Sequence, residues 1–310
     1  MLYISSRSKT DSFTSYRTLC DDRAPDGGVF IPYKLPDVSD QLRLLKNRSF
    51  AENIAYIFNL FFPCKLTPRD VEICVGKNPL RITEMSHRLI MAEGYHNPSR
   101  NYSYIENNIY RLIASDCGRS VPSEWFRIAS RIAALFAAYG QLSGASTVKF
   151  DVCAYYNDFV DPMAAWYAKK MGLPIENIIC CCKDKGALWD LIQRGEVSTA
   201  SAFPGGEINQ VEGLIYCTLG LDGVINLLGS VDKNTSFKPD TDKLPAFRDS
   251  FTVSVVGSER IAELIRSVKG INNYVINDTA AVCYGGVQDY RAASGKSRDT
   301  LIFVDSLSSL

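Results

Sequence analysis

A chain of 310 residues, 46% hydrophobic and 22% charged, can bury most of the surface its unfolded form exposes, in one large domain or two smaller ones. Its 34 basic residues balance 34 acidic ones and no Lys/Arg run stands out, which excludes the footprint of a nucleic-acid binder and leaves small molecules or proteins as partners. The opening MLYISSRSKTDSF has no apolar leader core and the run IAYIFNLFF is too short to span a bilayer, so a cytoplasmic protein without a membrane segment is expected.

Residues 1–48 are turn-rich, and APDGGVFIP, with Asp26, Gly27 and Gly28, carries the sharpest turn signal. Ser49 and Glu52 then form a capping box ahead of Ile54, Ile57, Phe58 and Phe61, a core helix stopped at Pro63. Thr67, Pro68 and Asp70 start a second helix through RDVEICV, ended by Gly76. The first 77 residues thus read as a small helical unit. In HNPSRNYSYIENNIYRLI, Ser103 followed by Glu106 is placed to cap a helix with an Ile105, Ile109, Leu112 and Ile113 stripe. Next comes EWFRIASRIAALFAAYGQL, whose Trp125, Phe126, Ile128, Ile132, Leu135, Phe136 and Tyr139 give more than one apolar face.

From residue 148 the pattern alternates. VKFDVC reads as a strand; Asp161, as cap, and Pro162 open the helix MAAWYAKKM, closed by Gly172. NIICCC is a strand and KGALWDLIQR a helix closed by Gly195. After a long helical stretch around QVEGLIYCTLGLDGVINLLG and a polar connector come the strand FTVSVV, the helices SERIAELIRSV and DTAAVCYGGVQDYRAA, and the strand TLIFVD. Such alternation predicts an α/β fold: a helical N-terminal domain over 1–80, then a domain over 81–310 with a mostly parallel sheet flanked by helices.

Ten scattered cysteines, in a chain with its own core and no export signal, point to reduced thiols. Cys180, Cys181 and Cys182 alternate between strand faces, so they read as buried strand thiols and not as a metal site. His87 and His96 have no metal-ligand spacing either. His96 is a weak acid–base candidate and Arg100 an anion holder, with no paired nucleophile that the sequence locates.

Several stretches resemble the threonine synthase family. MLYISSRSKTDSFTSYRTLCDDRAPDGGVFIPYKLP is similar to its N-terminal region, which reads Y-I-S-T-R-G, S-F and then L-A-x-D-G-G-L-x-x-P. SFAENIAYIFNLFF and LTPRDVEICV resemble the two helices that follow. NDFVDPMAAWYAKKMGLPIENIICC is similar to the family's G-N-F-G-D-I-L-A-G-Y-Y-A-K-K-M-G-L-P, and YVINDTAAVCYGGVQDYR and LIFVDSLSSL resemble its C-terminal pieces. The resemblance implies fold type II architecture and a pyridoxal phosphate lyase that makes threonine from O-phosphohomoserine.

Against the family's H-G-P-T-x-x-F-K-D, HNPSRNYSY keeps His96 and Pro98, with Ser99 for Thr and Tyr102 for Phe, but Asn97 replaces Gly, Ser103 the cofactor lysine and Tyr104 the Asp. A hydroxyl cannot form the Schiff base that holds the cofactor aldehyde, and no lysine lies between Lys77 and Lys149. At the family's phosphate-cradling glycine loop stand Asn157, Asp158, Phe159, Val160 and Asp161: both glycines are gone, Val160 resists positive φ and Asp158 adds a negative charge. The resemblance also implies a mobile domain with an S-G-D-T-G loop before SDCGRSVPSEWF, where only about a helix is present; SGAST at 143–147 is an ordinary turn and no substitute. Gly118, Arg119 and Ser306, the last near the family's contact to the pyridine nitrogen, are weak survivals.

These losses predict a catalytically inactive pseudoenzyme with a binding or regulatory role, no covalently held cofactor, and room for a small amino-acid-like ligand. The alternatives are an active lyase using an unrecognised lysine, Lys149 or Lys183, and a structural subunit of a full-length synthase. With the mobile domain missing, the 123–142 helix is expected to meet another chain, a second copy by default; the competing expectation has segment 81–113 fold across and cover it.

Overall fold

The computed structural model describes residues 1–76, 80–85, 88–94, 102–142, 149–156, 158–199 and 207–304. Strand β1 (Leu2–Ser5) turns Tyr3 and Ser5 inward and Leu2 outward. It pairs antiparallel with β2 (Ser12–Thr14) and β3 (Phe30–Pro32), with helix α1 (Ser15–Cys20) between those two in sequence. The N-terminal unit is therefore not purely helical. Strands of three or four residues show too little alternation to be read locally. The turn before β3 needs its glycines: Gly27 has φ +81°, and a Cβ on Gly28 would lie 2.2 Å from Ser5 Oγ.

Helices α2 (Leu42–Asn47), α3 (Phe50–Phe61) and α4 (Pro68–Val75) follow. The expected capping box at α3 forms, and a second one closes the start of α4. At α3 the Glu52 amide donates to Ser49 Oγ (3.2 Å) and the Ser49 amide to Glu52 Oε2 (2.7 Å), and Thr67 with Asp70 does the same at α4. Each is worth about 1 kcal/mol. Gly76 ends α4 at φ +83°.

Strands β4 (Arg81–Met85) and β5 (Leu89–Glu93) form an antiparallel pair in a stretch for which periodicity predicts no strand. Helices α5 (Tyr102–Ile113) and α6 (Glu124–Gln141) come next, then β6 (Phe150–Tyr155), α7 (Val160–Lys170), β7 (Ile175–Cys182), α8 (Ala187–Gln193), β8 (Val197–Ser198), α9 (Glu207–Asp232), β9 (Ser236–Phe237), α10 (Leu244–Ser250), β10 (Thr252–Val255), α11 (Ser258–Asn272), α12 (Asp278–Ser294) and β11 (Thr300–Val304). The main sheet has order β10-β7-β6-β11-β5-β4, parallel except for edge strand β4. The last strand is threaded between β5 and β6, opposite Leu89 on one side and Asp151 on the other.

Side chains alternate across this sheet. Cys153, Cys181 and Ile302 pack under α11 and α12, while Val152, Cys180, Cys182 and Phe303 join the larger core with α6 and α7. The three neighbouring cysteines are buried thiols on opposite faces, as their strand spacing predicts. The larger core runs without a break from Tyr3 through α3 to Phe303, across residue 80.

Helix α6 lies inside that core. Trp125, Phe126, Ile132, Leu135, Phe136 and Tyr139 are buried within the chain, so the 123–142 helix does not present the surface expected to meet another chain. Its extra apolar faces are covered by α2 and α3 on one side and α7 on the other. Helix α9 is long and apolar enough by composition to cross a membrane, which the sequence reading did not anticipate. Gly220 (φ 72°, ψ −167°) interrupts it, and its buried Glu212 accepts from Arg7 Nη2 (2.8 Å) and Nε (2.9 Å) and from Ser6 Oγ (2.5 Å).

Candidate functional site at the carboxyl ends of the strands

Parallel strands place their carboxyl ends, and the helix N-termini that follow, on one side of a sheet. Here β5 ends at Glu93, β6 at Tyr155 and β11 at Val304, and α5 and α7 begin beside them. Glu93 is buried and accepts from Thr83 Oγ1 (3.1 Å). Tyr102, also buried, donates to the Ser130 carbonyl (2.6 Å) and stacks edge-on against Phe303 at 5.5 Å.

Ser103 does not stand at the helix cap. Tyr102 already belongs to α5, so Ser103 is inside its first turn and its carbonyl accepts from Asn107 Nδ2 (2.8 Å). One turn on, Glu106 is buried and faces Arg131 (3.3 Å) and Arg127 (3.7 Å) of α6.

These arginines join α5 to the loop that leads into α7. Arg131 reaches Asp161 (3.1 Å) and lies 4.8 Å over the Tyr102 ring; Arg127 Nη2 donates to Asp158 Oδ2 (2.5 Å). The second Asp158 oxygen accepts from the Val160 amide (3.3 Å), so a carboxylate of the chain sits against the α7 N-terminus, where the helix dipole favours an anion. Burial alone would lower the Arg127 pKa, but the Asp158 and Glu106 carboxylates hold it above its ordinary value.

The backbone here departs from expectation. Positive φ falls on Phe159 (65°), which is the helix cap, while Val160 and Asp161 are already helical. Asp161 is thus freed from capping to pair with Arg131. Phe159 tolerates the left-handed region because its ring is buried edge-on against Tyr156 at 5.0 Å. Behind Arg131 and Asp161, a cavity of about 10 Å³ lined also by Leu135, Val152, Cys153, Ala154 and Phe303 has room for at most one water.

Sequence reasoning found Ser103, Asp158, Phe159, Val160 and Asp161, which the fold brings to one end of the sheet. It missed Arg127 and Arg131 and assigned Glu106 only a capping role. Their signal was two arginines four apart in an otherwise apolar helix. His87, His96, Arg100, Asn157, the 143–147 turn and Ser306 lie outside the described residues. Among the described residues no cluster of metal-ligating side chains occurs. Lys149 lies at the opposite end of β6, paired with Glu176 (2.7 Å); Lys183 follows β7 at the site's end and pairs with Asp278 (3.1 Å). Between α5 and α6, residues 114–123 hold one 3-10 turn, Ser115–Cys117.

Beside this network Glu124, in the first turn of α6, is pushed up to about 7 by burial, against the pull of Arg23 and Arg127. A carboxyl whose folded pKa exceeds its ordinary 4.5 binds more protons folded than unfolded, so its contribution is full below 4.5 and lost as pH rises to about 7. Glu124→Gln is expected to remove that slope and to raise the thermal midpoint at pH 8 by roughly 2–5 °C relative to the parent. Parallel pH profiles for the two proteins would show that Glu124 is solvated.

Residues 2–78 match the family model described as threonine synthase N terminus. Comparison with curated protein sequences returned no match. Among solved structures, pyridoxal phosphate-bound threonine synthase from Brucella melitensis superposes with TM-score 0.80 at 17% identity, covering 99% of this chain and 89% of that one. Threonine synthase from yeast gives 0.80 at 16% identity (98% and 87%), and that from Escherichia coli 0.69 at 12% (99% and 88%). The fold is that of threonine synthase, a fold type II architecture.

Proposed function

Proceeding from a chain with the threonine synthase fold, we propose that it is a threonine synthase-like pseudoenzyme, a scaffold serving binding or regulation without the lyase chemistry. The observation that carries this reading is the Asp158 carboxylate held between the Val160 amide and Arg127. Pyridoxal phosphate, which the resemblance implies, does not fit these residues. Its phosphate would meet a carboxylate at the α7 N-terminus, and two like charges in contact repel strongly where solvent is partly excluded. Its aldehyde would need an amine where α5 carries Ser103 and no lysine. Arginine does not substitute, since it stays protonated.

The test is titration with pyridoxal phosphate, borohydride reduction and peptide mass analysis. No stoichiometric adduct at a single lysine is expected. Ser103→Lys alone is expected to release no more phosphate from O-phosphohomoserine than the parent does, because the anion seat stays filled. An adduct confined to Lys183, which lies at the same end of the sheet, would overturn the reading in favour of an active lyase.

A further inference from the structure

Cys20, the last residue of α1, and Cys117, in the turn between α5 and α6, are joined as a disulfide across 97 residues, with Cα atoms 4.8 Å apart. Reduced thiols throughout were expected from the sequence; at this one pair the fold brings distant cysteines into bonding range, while the other eight stay free. Both members of the pair are only partly buried, within reach of small thiols, whereas Cys153, Cys180, Cys181, Cys182 and Cys283 are buried.

The segment around Cys20 is tied to the start of α6. Ser123, the α6 cap, donates through Oγ to the Thr18 carbonyl (2.6 Å), and Tyr110 donates to the Leu19 carbonyl (2.8 Å). Asp22 accepts from the Glu124 amide (3.0 Å) and from Arg119 Nη2 through both oxygens (3.0 and 2.8 Å). Segment 18–22 thus caps the helix that carries Arg127 and Arg131. The turn on the other side is largely exposed and is closed by Gly118 at φ +68°.

We propose that Cys20–Cys117 is a redox-sensitive staple that sets the order of the α6 first turn and of the Arg127–Asp158 contact behind it. The proposal names the regulation of the site, and so rests on the reading of the chain as a regulatory scaffold. Closure proceeds by exchange with a small-molecule disulfide. One cysteine thiolate attacks it, forms a mixed disulfide and expels one thiol; the second thiolate displaces the other. Two protein thiols are oxidised by two electrons, one external disulfide is reduced to two thiols, and excess small thiol reverses the exchange. When the staple is open, segment 18–22 is still tied to its neighbours by the polar contacts of Asp22, Ser123 and Tyr110.

The experiment equilibrates the full chain with oxidised or reduced glutathione, alkylates it under denaturing conditions and maps the peptides. In the oxidised sample Cys20 and Cys117 are expected as one linked pair with every other cysteine alkylated; in the reduced sample both are expected alkylated. Reduction is expected to lower the thermal midpoint by roughly 5–10 °C. Amides of Glu124 to Arg127 are expected to exchange hydrogen faster, and Cys20→Ser is expected to match the reduced parent under both conditions. Free Cys20 and Cys117 after oxidation, or equal midpoints and exchange in the two states, would overturn the staple; since the parent is compared with itself, a poorly folding variant cannot obscure the result. None of these measurements involves a cofactor, so the staple can fail while the pseudoenzyme reading stands, and the reverse.

Discussion

Arg131→Ala is expected to destabilise the protein by about 3–5 kcal/mol in urea denaturation, among the largest effects of any single substitution. The guanidinium is almost wholly buried and is the meeting point of Glu106 and Asp161. Removing it takes the shared guanidinium from two carboxylates, while Arg127 is already engaged by Asp158. The cost is mainly the uncompensated charge. A triple variant, Arg131→Met with Glu106→Gln and Asp161→Asn, is therefore expected to recover most of the loss, because neutralising the partners removes the penalty together with the attraction. Loss of under about 1 kcal/mol in the single variant would mean that water reaches the network and screens it.

Phe126→Ala is expected to cost about 3–5 kcal/mol as well, for a different reason. Its ring is fully buried, with ring centroids of Tyr110 at 5.0 Å, Phe58 at 5.3 Å and Phe62 at 5.9 Å. Truncation opens a cavity among rigid aromatic neighbours that cannot collapse into it. The same substitution separates a core role from the interface role that the sequence predicted for this helix. A core residue lowers the urea midpoint and leaves the mass measured by light scattering unchanged. An interface residue changes the mass and spares the stability of the single chain.

Contrast between these two helical positions shows where local information stops. Ser49 with Glu52, and Thr67 with Asp70, announce their helices because a capping box is complete within four residues. Gly172 and Gly195 announce chain reversals because both adopt positive φ, at 103° and 75°. The alternation of Cys180, Cys181 and Cys182 between two cores needs only the two-residue repeat of a strand. That position 103 holds a serine and not a lysine is likewise a local fact.

What the tertiary structure decided concerns pairs far apart in the chain. The apolar character of α6 is plain from its residues, but whether its second face meets solvent, another chain or its own α3 depends on where α3 packs. The short strands of the N-terminal sheet exist because β1 has partners on both sides, since three residues bury too little to form a strand alone. Cys20 and Cys117 are ordinary thiols until the fold closes 97 residues between them. Asp158 reads in sequence as a charge in the wrong place. Only the approach of α6, bringing Arg127 to one of its oxygens while the Val160 amide holds the other, turns it into the anion of its own site, because electrostatic pairing depends on distance in space and not on separation along the chain.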